Sequence, residues 1–182
     1  MGQSMLATAP LIVTLGLDQA SFARFDAERR FYFPADRNLI PAHLTLFHHL
    51  PGARIAEIAA ALHAAADEQA PFPMAVRGLR FLGRGMAYEI ASPPLDRLRA
   101  ALVALWSGDL TPQDAAGFRP HVTIQNKVPA PQAKADFARL SAGFVPFEAT
   151  ATGLLLWHYQ GGPWLAAGDF PFSARERRGD DG

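Results

Sequence analysis

Hydrophobic positions fall on two periods along this chain, and the change from one to the other marks out its elements. The run "LIVTLGL" (Leu11–Leu17) is rich in β-formers and predicts a strand. Asp18 follows where a helix N-cap belongs, ahead of "QASFARFDAERRF". "FPADRNLIPA" reads as loop, and "HLTLFHHL" as a strand ended by Pro51 and Gly52. Between residues 53 and 69 the apolar period lengthens: Ile55, Ile58, Ala59 and Leu62 share one helical face. "PFPMAVRGLRFLG" and "MAYEIAS" return to the strand pattern, as a hairpin turning at residues 83–85. Pro93 and Pro94 suit a helix start, with Leu95, Leu98, Leu102 and Leu105 as its buried stripe.

The same order then recurs. "HVTIQNKV" predicts a strand, and "PAPQAKADFARLSAG" a helix stopped at Gly143. "PFEATATGLLLWHY" and "PWLAAGDFPF" predict a second hairpin, turning at Gly161, Gly162 and Pro163. Each half thus contributes a strand that begins with histidine, a helix and a hairpin. Hairpins mixed with helices argue for an α+β fold with largely antiparallel sheets. No linker divides the halves, so residues 1–174 read as one domain and residues 175–182 as a polar, frayed tail.

Composition narrows the function classes. The 182 residues hold 17 basic and 17 acidic side chains. That balance argues against tight binding to long nucleic acid, which needs many phosphate-neutralising cations. A nucleotide or a short RNA end needs only a few. The chain has no cysteine, which removes disulfides, thiolate nucleophiles and Cys-ligated metal sites from consideration and suits a cytoplasmic protein. Its N-terminal stretch has no basic n-region and too short an apolar run to span a bilayer, so no membrane partner is expected. A monomer is the expected state.

Candidate chemistry comes from a repeat. "PAHLTL" and "RPHVTI" each set a histidine, an aliphatic residue, a threonine and another aliphatic residue behind a proline. With six histidines and seven threonines in the chain, about 0.2 H-x-T triplets arise by chance, so a pair is a signal. Side chains two apart on a strand share a face. His43 and Thr45 therefore point together, as do His121 and Thr123. Packed about a pseudo-twofold axis, the pairs would face each other across a cleft. One imidazole could accept a proton while the other donates one, and the hydroxyls could donate to phosphate oxygens. Such a set suits phosphodiester cleavage without a metal.

The two motifs and their spacing resemble the 2H phosphoesterase superfamily, in particular its bacterial 2′-5′ RNA ligase and cyclic phosphodiesterase branch. That resemblance implies a bilobal α+β fold around a central cleft, catalysis by His43 and His121, phosphate binding by Thr45 and Thr123, and no cofactor. Members open 2′,3′-cyclic phosphates, join RNA ends by 2′-5′ bonds, or process related diesters. Many relatives place an arginine shortly after the second motif. Here Gln125, Asn126 and Lys127 follow, and alternation puts Lys127 on the His121 face, as a phosphate-binding cation. A module that binds nucleotide or phosphate in the same cleft without turnover is the alternative.

Other residues have plainer readings beside functional ones. Phe47 and His49 continue the His43 face and Gln125 the His121 face, as candidate substrate contacts, with Phe47 equally able to pack at the cleft wall. Trp157 and Tyr159, beside the second hairpin turn, could face a ligand or fold over the core. His48 points away and reads as structural, and His63 as a surface residue without a partner. Arg80 and Arg84, near the first turn, read as solvated, and "ARFDAERR" as a solvated helix face. The histidine cluster at 43, 48 and 49 matches no metal-ligand spacing.

Overall fold

The strand expected at Leu11–Leu17 forms with those bounds, β1, and is buried over six of its seven residues. The computed structural model describes residues 9–174, so the expected tail at 175–182 lies outside the described residues. Asp18 caps helix α1 (Gln19–Tyr32), accepting from the Ala20 and Ser21 amides at 2.9 and 3.0 Å. There follow β2 (Thr45–Leu50), α2 (Ile55–Asp67), the hairpin β3 (Phe72–Phe81) and β4 (Met86–Ala91), and α3 (Pro93–Trp106). A one-turn helix α4 (Pro112–Ala115), β5 (His121–Gln125), α5 (Ala130–Ala142) and the hairpin β6 (Phe147–His158) and β7 (Leu165–Pro171) complete the order. No helix among the described residues is long and apolar enough to cross a membrane.

The fold is α+β, and all its strand pairings are antiparallel. Both halves share one sheet, ordered β2-β1-β6-β3-β4-β5, with β7 beside β6. β6 can serve both halves because it is twelve residues long. Ala151 pairs Leu17 on one edge and Phe72 on the other, so β1 and β3 flank it from opposite sides. The halves repeat as β1-α1-β2 and β4-α3-β5, and each ends on its H-x-T motif at one extreme of the sheet; β5 begins at His121, whereas β2 begins at Thr45, two residues later than expected, with His43 just ahead of it. The hairpin following each motif does not stay within its own half: β3–β4 lies beside β5, while β6 lies beside β1.

Helix α1 bridges those extremes. Its 23–30 stretch is not a solvated face: Phe25, Asp26 and Arg29 are buried. On α3 the buried stripe is Leu95, Leu98, Leu102 and Trp106, while Leu105 is 62% exposed, the helical turn having carried it past the core. On α2, Ile58 and Leu62 are buried, each contributing about 2 kcal/mol. That outweighs the exposed pair in which His63 does find a partner, Asp67 at 2.9 Å. Gly85, at the first hairpin turn, allows a close approach: a Cβ there would overlap the Gln125 carbonyl.

Candidate active site

Each H-x-T strand bulges directly after its threonine. In β2, Thr45 pairs Thr14 and Phe47 already pairs Val13, two residues against one. In β5, Thr123 pairs Ala87 and Gln125 pairs Met86, the same irregularity. A bulge sets two residues opposite one and breaks alternation. The consequence is the same in both strands. His43, Thr45, His121 and Thr123 stay partly exposed, whereas Phe47 and Gln125, two residues past the threonines, are 0% exposed.

Three expected contacts are corrected, the first two on that account. Phe47 packs edge-on against Trp106 with the Arg99 guanidinium 3.8 Å above its ring, so it is core. Gln125 donates to Asp136 of α5 at 2.7 Å and faces no solvent. Lys127 does not continue the strand: it sits in the following turn at φ 63°, beside Phe31, Tyr32 and Phe33 rather than His121. His48, expected to point away, is instead brought beside His121 by the bulges of β2. Its ring bonds Asp114 at 2.9 Å, and the same buried carboxylate takes the His48 and His49 amides freed by the bulge. The His49 side chain is exposed.

The two motif histidines are held alike. Nδ1 of His43 lies 2.8 Å from the Pro41 carbonyl, and Nδ1 of His121 lies 2.9 Å from the Arg119 carbonyl, each two residues back. A carbonyl only accepts, so Nδ1 must carry the hydrogen in both rings. Nε2 is then a base when the ring is neutral and an acid when it is charged. Burial above all, with smaller pushes from the charges of Arg29, His121 and His48 and against the Pro41 bond, brings His43 down to about 4. Burial lowers His121 as well, with Arg80 and His48 adding to the effect and the Arg119 carbonyl opposing it. Both rings are neutral at pH 7 in the free protein, and an arriving phosphate would favour their charged forms.

Arg29 fixes the separation of the motifs. Its Nε donates to Asn38 Oδ1 at 2.8 Å and to the Ile40 carbonyl at 3.1 Å, and its Nη1 to the Thr123 carbonyl at 2.7 Å. One turn earlier, Asp26 accepts from the Ala42 amide at 3.0 Å. A single helix thus grips the approach to the first motif and the backbone of the second. No local pattern marks Arg29 in the sequence, because its partners lie far along the chain.

Two cavities flank the histidines. On the His43 side, one of about 530 Å³ is lined by residues including Phe22, Ile40, Trp157 and Trp164. Trp164 lies 4.8 Å from His43 and 6.2 Å from Trp157 between ring centroids, and the Trp157 indole donates to Thr14 at 2.9 Å. Sequence reasoning misses Trp164, although its place after Gly161-Gly162-Pro163 marks it as a turn aromatic. Tyr159, 45% exposed, lines neither cavity. On the His121 side, a cavity of about 170 Å³ is walled by Thr45, His48, Arg80, Phe118, Arg119 and His121. Thr45 of the first motif thus shares a wall with His121 of the second. Among the described residues, no three His, Cys, Asp or Glu side chains group to hold a metal ion.

A family model described as the 2′-5′ RNA ligase superfamily matches residues 17–163. No curated protein sequence matches the chain. Among solved structures it is similar to TT0787 of Thermus thermophilus, at 20% identity and TM-score 0.65 over 91% of this chain and 99% of that one. It is also similar to E. coli LigT complexed with 3′-AMP, at 18% identity and TM-score 0.60 over 92% and 99% of the two chains. E. coli LigT complexed with NADP+ gives 18% identity and TM-score 0.57 over the same shares. At these identities the likeness is one of fold.

Proposed function

The chain belongs to the 2′-5′ RNA ligase superfamily, within the 2H phosphoesterases, and from that premise we propose that it is a metal-independent phosphodiesterase. Its substrate is a 2′,3′-cyclic phosphate or a 2′-5′ phosphodiester of a nucleotide or RNA end. The observation that carries this reading is the matched pair of imidazoles, each with Nδ1 tied to a carbonyl two residues back and Nε2 left to exchange protons. The 3′-AMP and NADP+ of the E. coli LigT complexes support the substrate class.

In hydrolysis of the cyclic ester, one neutral ring takes a proton from water as its oxygen bonds to phosphorus. The P–O3′ bond breaks on the opposite side, and the other ring, charged, gives its proton to O3′. The product is a 2′-phosphate. A ribose 5′-hydroxyl in place of water leaves a 2′-5′ linkage instead, so ligation uses the same two rings. Thr45 and Thr123 donate to the non-bridging oxygens, where negative charge gathers. The aromatic cavity beside His43 takes the nucleoside, stacking its base on Trp164 or Trp157. An RNA-end substrate and a chain without cysteine suit the cytoplasm as its place of work.

The experiment is a substrate panel of 2′,3′-cyclic nucleotides, 2′-5′ dinucleotides and RNA ending in a cyclic phosphate, each with and without EDTA. Turnover that survives EDTA is expected. Binding without turnover across the panel favours the nucleotide-binding module, and loss on chelation reversed by one divalent metal favours a metallohydrolase.

A further inference from the structure

Alternation along the second motif strand puts a cation at Lys127, and the turn after β5 carries that lysine away. We infer that Arg80, on β3, supplies the missing cation: its guanidinium binds the phosphate held between the two motifs. The inference rests on the proposed phosphodiester site and deepens it by naming the residue that neutralises the substrate.

The sheet register puts Arg80 in position. Arg80 pairs Ala87 on β4, and Ala87 pairs Thr123 on β5. Directly paired residues point to the same face of a sheet. Arg80, Ala87 and Thr123 therefore form one row across three strands, and Gly78, Glu89 and His121 form the next row on that face. Only the methyl group of Ala87 stands between Arg80 and Thr123. Two strand spacings, about 10 Å, separate their backbones, and a long side chain can cover most of that distance. The cavity agrees with the direction, since Arg80 shares its wall with Thr45, His48 and His121.

Arg80 is also the guanidinium left with work to do. Its Nε is buried and has no hydrogen-bond partner. Buried donors are seldom left unpaired, and an ionised phosphate oxygen is among the strongest acceptors an arginine fork can meet. The nearby alternatives are committed or exposed. Arg84 donates to the Val128 carbonyl at 3.2 Å, Arg99 to the Leu46 and Asp114 carbonyls at 2.8 and 2.5 Å, and Arg29 to its three partners. Arg119 is exposed. Arg80 also helps hold His121 neutral. A bound phosphate would offset that charge and ease protonation of the ring.

The test titrates inorganic phosphate into the wild type, Arg80→Ala, Arg80→Met and Lys127→Ala, following the histidine ring protons by NMR. Arg80→Ala is expected to weaken phosphate at least tenfold and Lys127→Ala less than twofold. Arg80→Met keeps the packed stem and carries the test where Arg80→Ala does not fold. Without phosphate, His121 should titrate at higher pH in the Arg80 variants than in the wild type, which checks that the guanidinium stands beside the ring. Wild-type phosphate affinity in a folded Arg80 variant overturns the inference, as does failure of the wild type to bind phosphate. Failure of the phosphodiesterase reading looks different: phosphate still binds through Arg80, and no member of the substrate panel is turned over.

Discussion

Around His43 the cleft wall is broad and aromatic, while around His121 it is narrow and cationic, although the two histidines are anchored alike. Trp157, Trp164 and Phe22 line the first side, and Arg80, Arg119 and His48 the second. The repeat supplies two imidazoles anchored alike, which the proposed reading uses as proton-transfer groups, and the unlike walls give the cleft a direction. A nucleoside would enter on one side and its phosphate face the other. The difference arises from what each motif strand meets at its end of the sheet. Near His43, the turn between β6 and β7 brings Trp164 over the ring. Near His121, the register of β3 and β4 brings Arg80 alongside.

If the anchoring is equivalent, removing either ring should cost the same kind of loss. His43→Ala and His121→Ala are each expected to lower turnover 10²–10⁴-fold while phosphate still binds. Loss confined to one variant would show that the rings do not share the chemistry. Arg29 joins the two sides, and Arg29→Met leaves three acceptors, two of them main-chain carbonyls, without their donor. A destabilisation of about 3 kcal/mol is expected in urea unfolding, with activity lost on both sides of the cleft. A variant as stable as the wild type would mean the motifs are held together by something else.

The aromatic side makes a narrower claim. Trp164→Ala should raise KM for nucleoside substrates about tenfold, since a stacked base is worth about 1–3 kcal/mol, and should leave inorganic phosphate affinity unchanged. An equal loss for both ligands would erase the division between the walls.

The smallest effect concerns pH. His43 is pushed down to about 4 in the folded protein, against an unfolded value near 6.5. The fold therefore prefers the neutral ring. Its contribution to stability is fully present above pH 6.5 and is lost as pH falls from there toward 4. His43→Gln should flatten that acid limb of the urea midpoint. Because His121 is lowered too, kcat/KM should peak on the acid side of 6.5, and kcat, measured with phosphate bound, at higher pH. Coincident optima would contradict that ordering.

Local pattern made much of this legible. Leu11–Leu17, the Asp18 cap and both hairpin turns follow from residues acting on their immediate neighbours, and the structure places them as expected. The histidine and threonine of each motif could be paired by strand period, because two residues are too few for register to drift. Beyond the threonine the sequence misleads. Each bulge is a matter of register against β1 or β4, which the residues of β2 or β5 alone do not announce. That one cause misplaced Phe47, His48 and Gln125 together, while Lys127 was carried off by the turn that follows β5. Arg29, Arg80 and Trp164 escape a sequence reading for a related reason: what they contact lies far along the chain, and a charged residue in a helix or near a turn looks solvated until the sheet is assembled.

On the proposed reading, two imidazoles across one cleft split a phosphodiester without a metal. That reading is tested most directly by following 2′,3′-cyclic AMP by phosphorus NMR in the presence of EDTA, with wild-type protein, His43→Ala and His121→Ala. Conversion to the 2′-phosphate is expected from the wild type, and at least a hundredfold slower conversion from each variant. Wild-type rates in both folded histidine variants would contradict it.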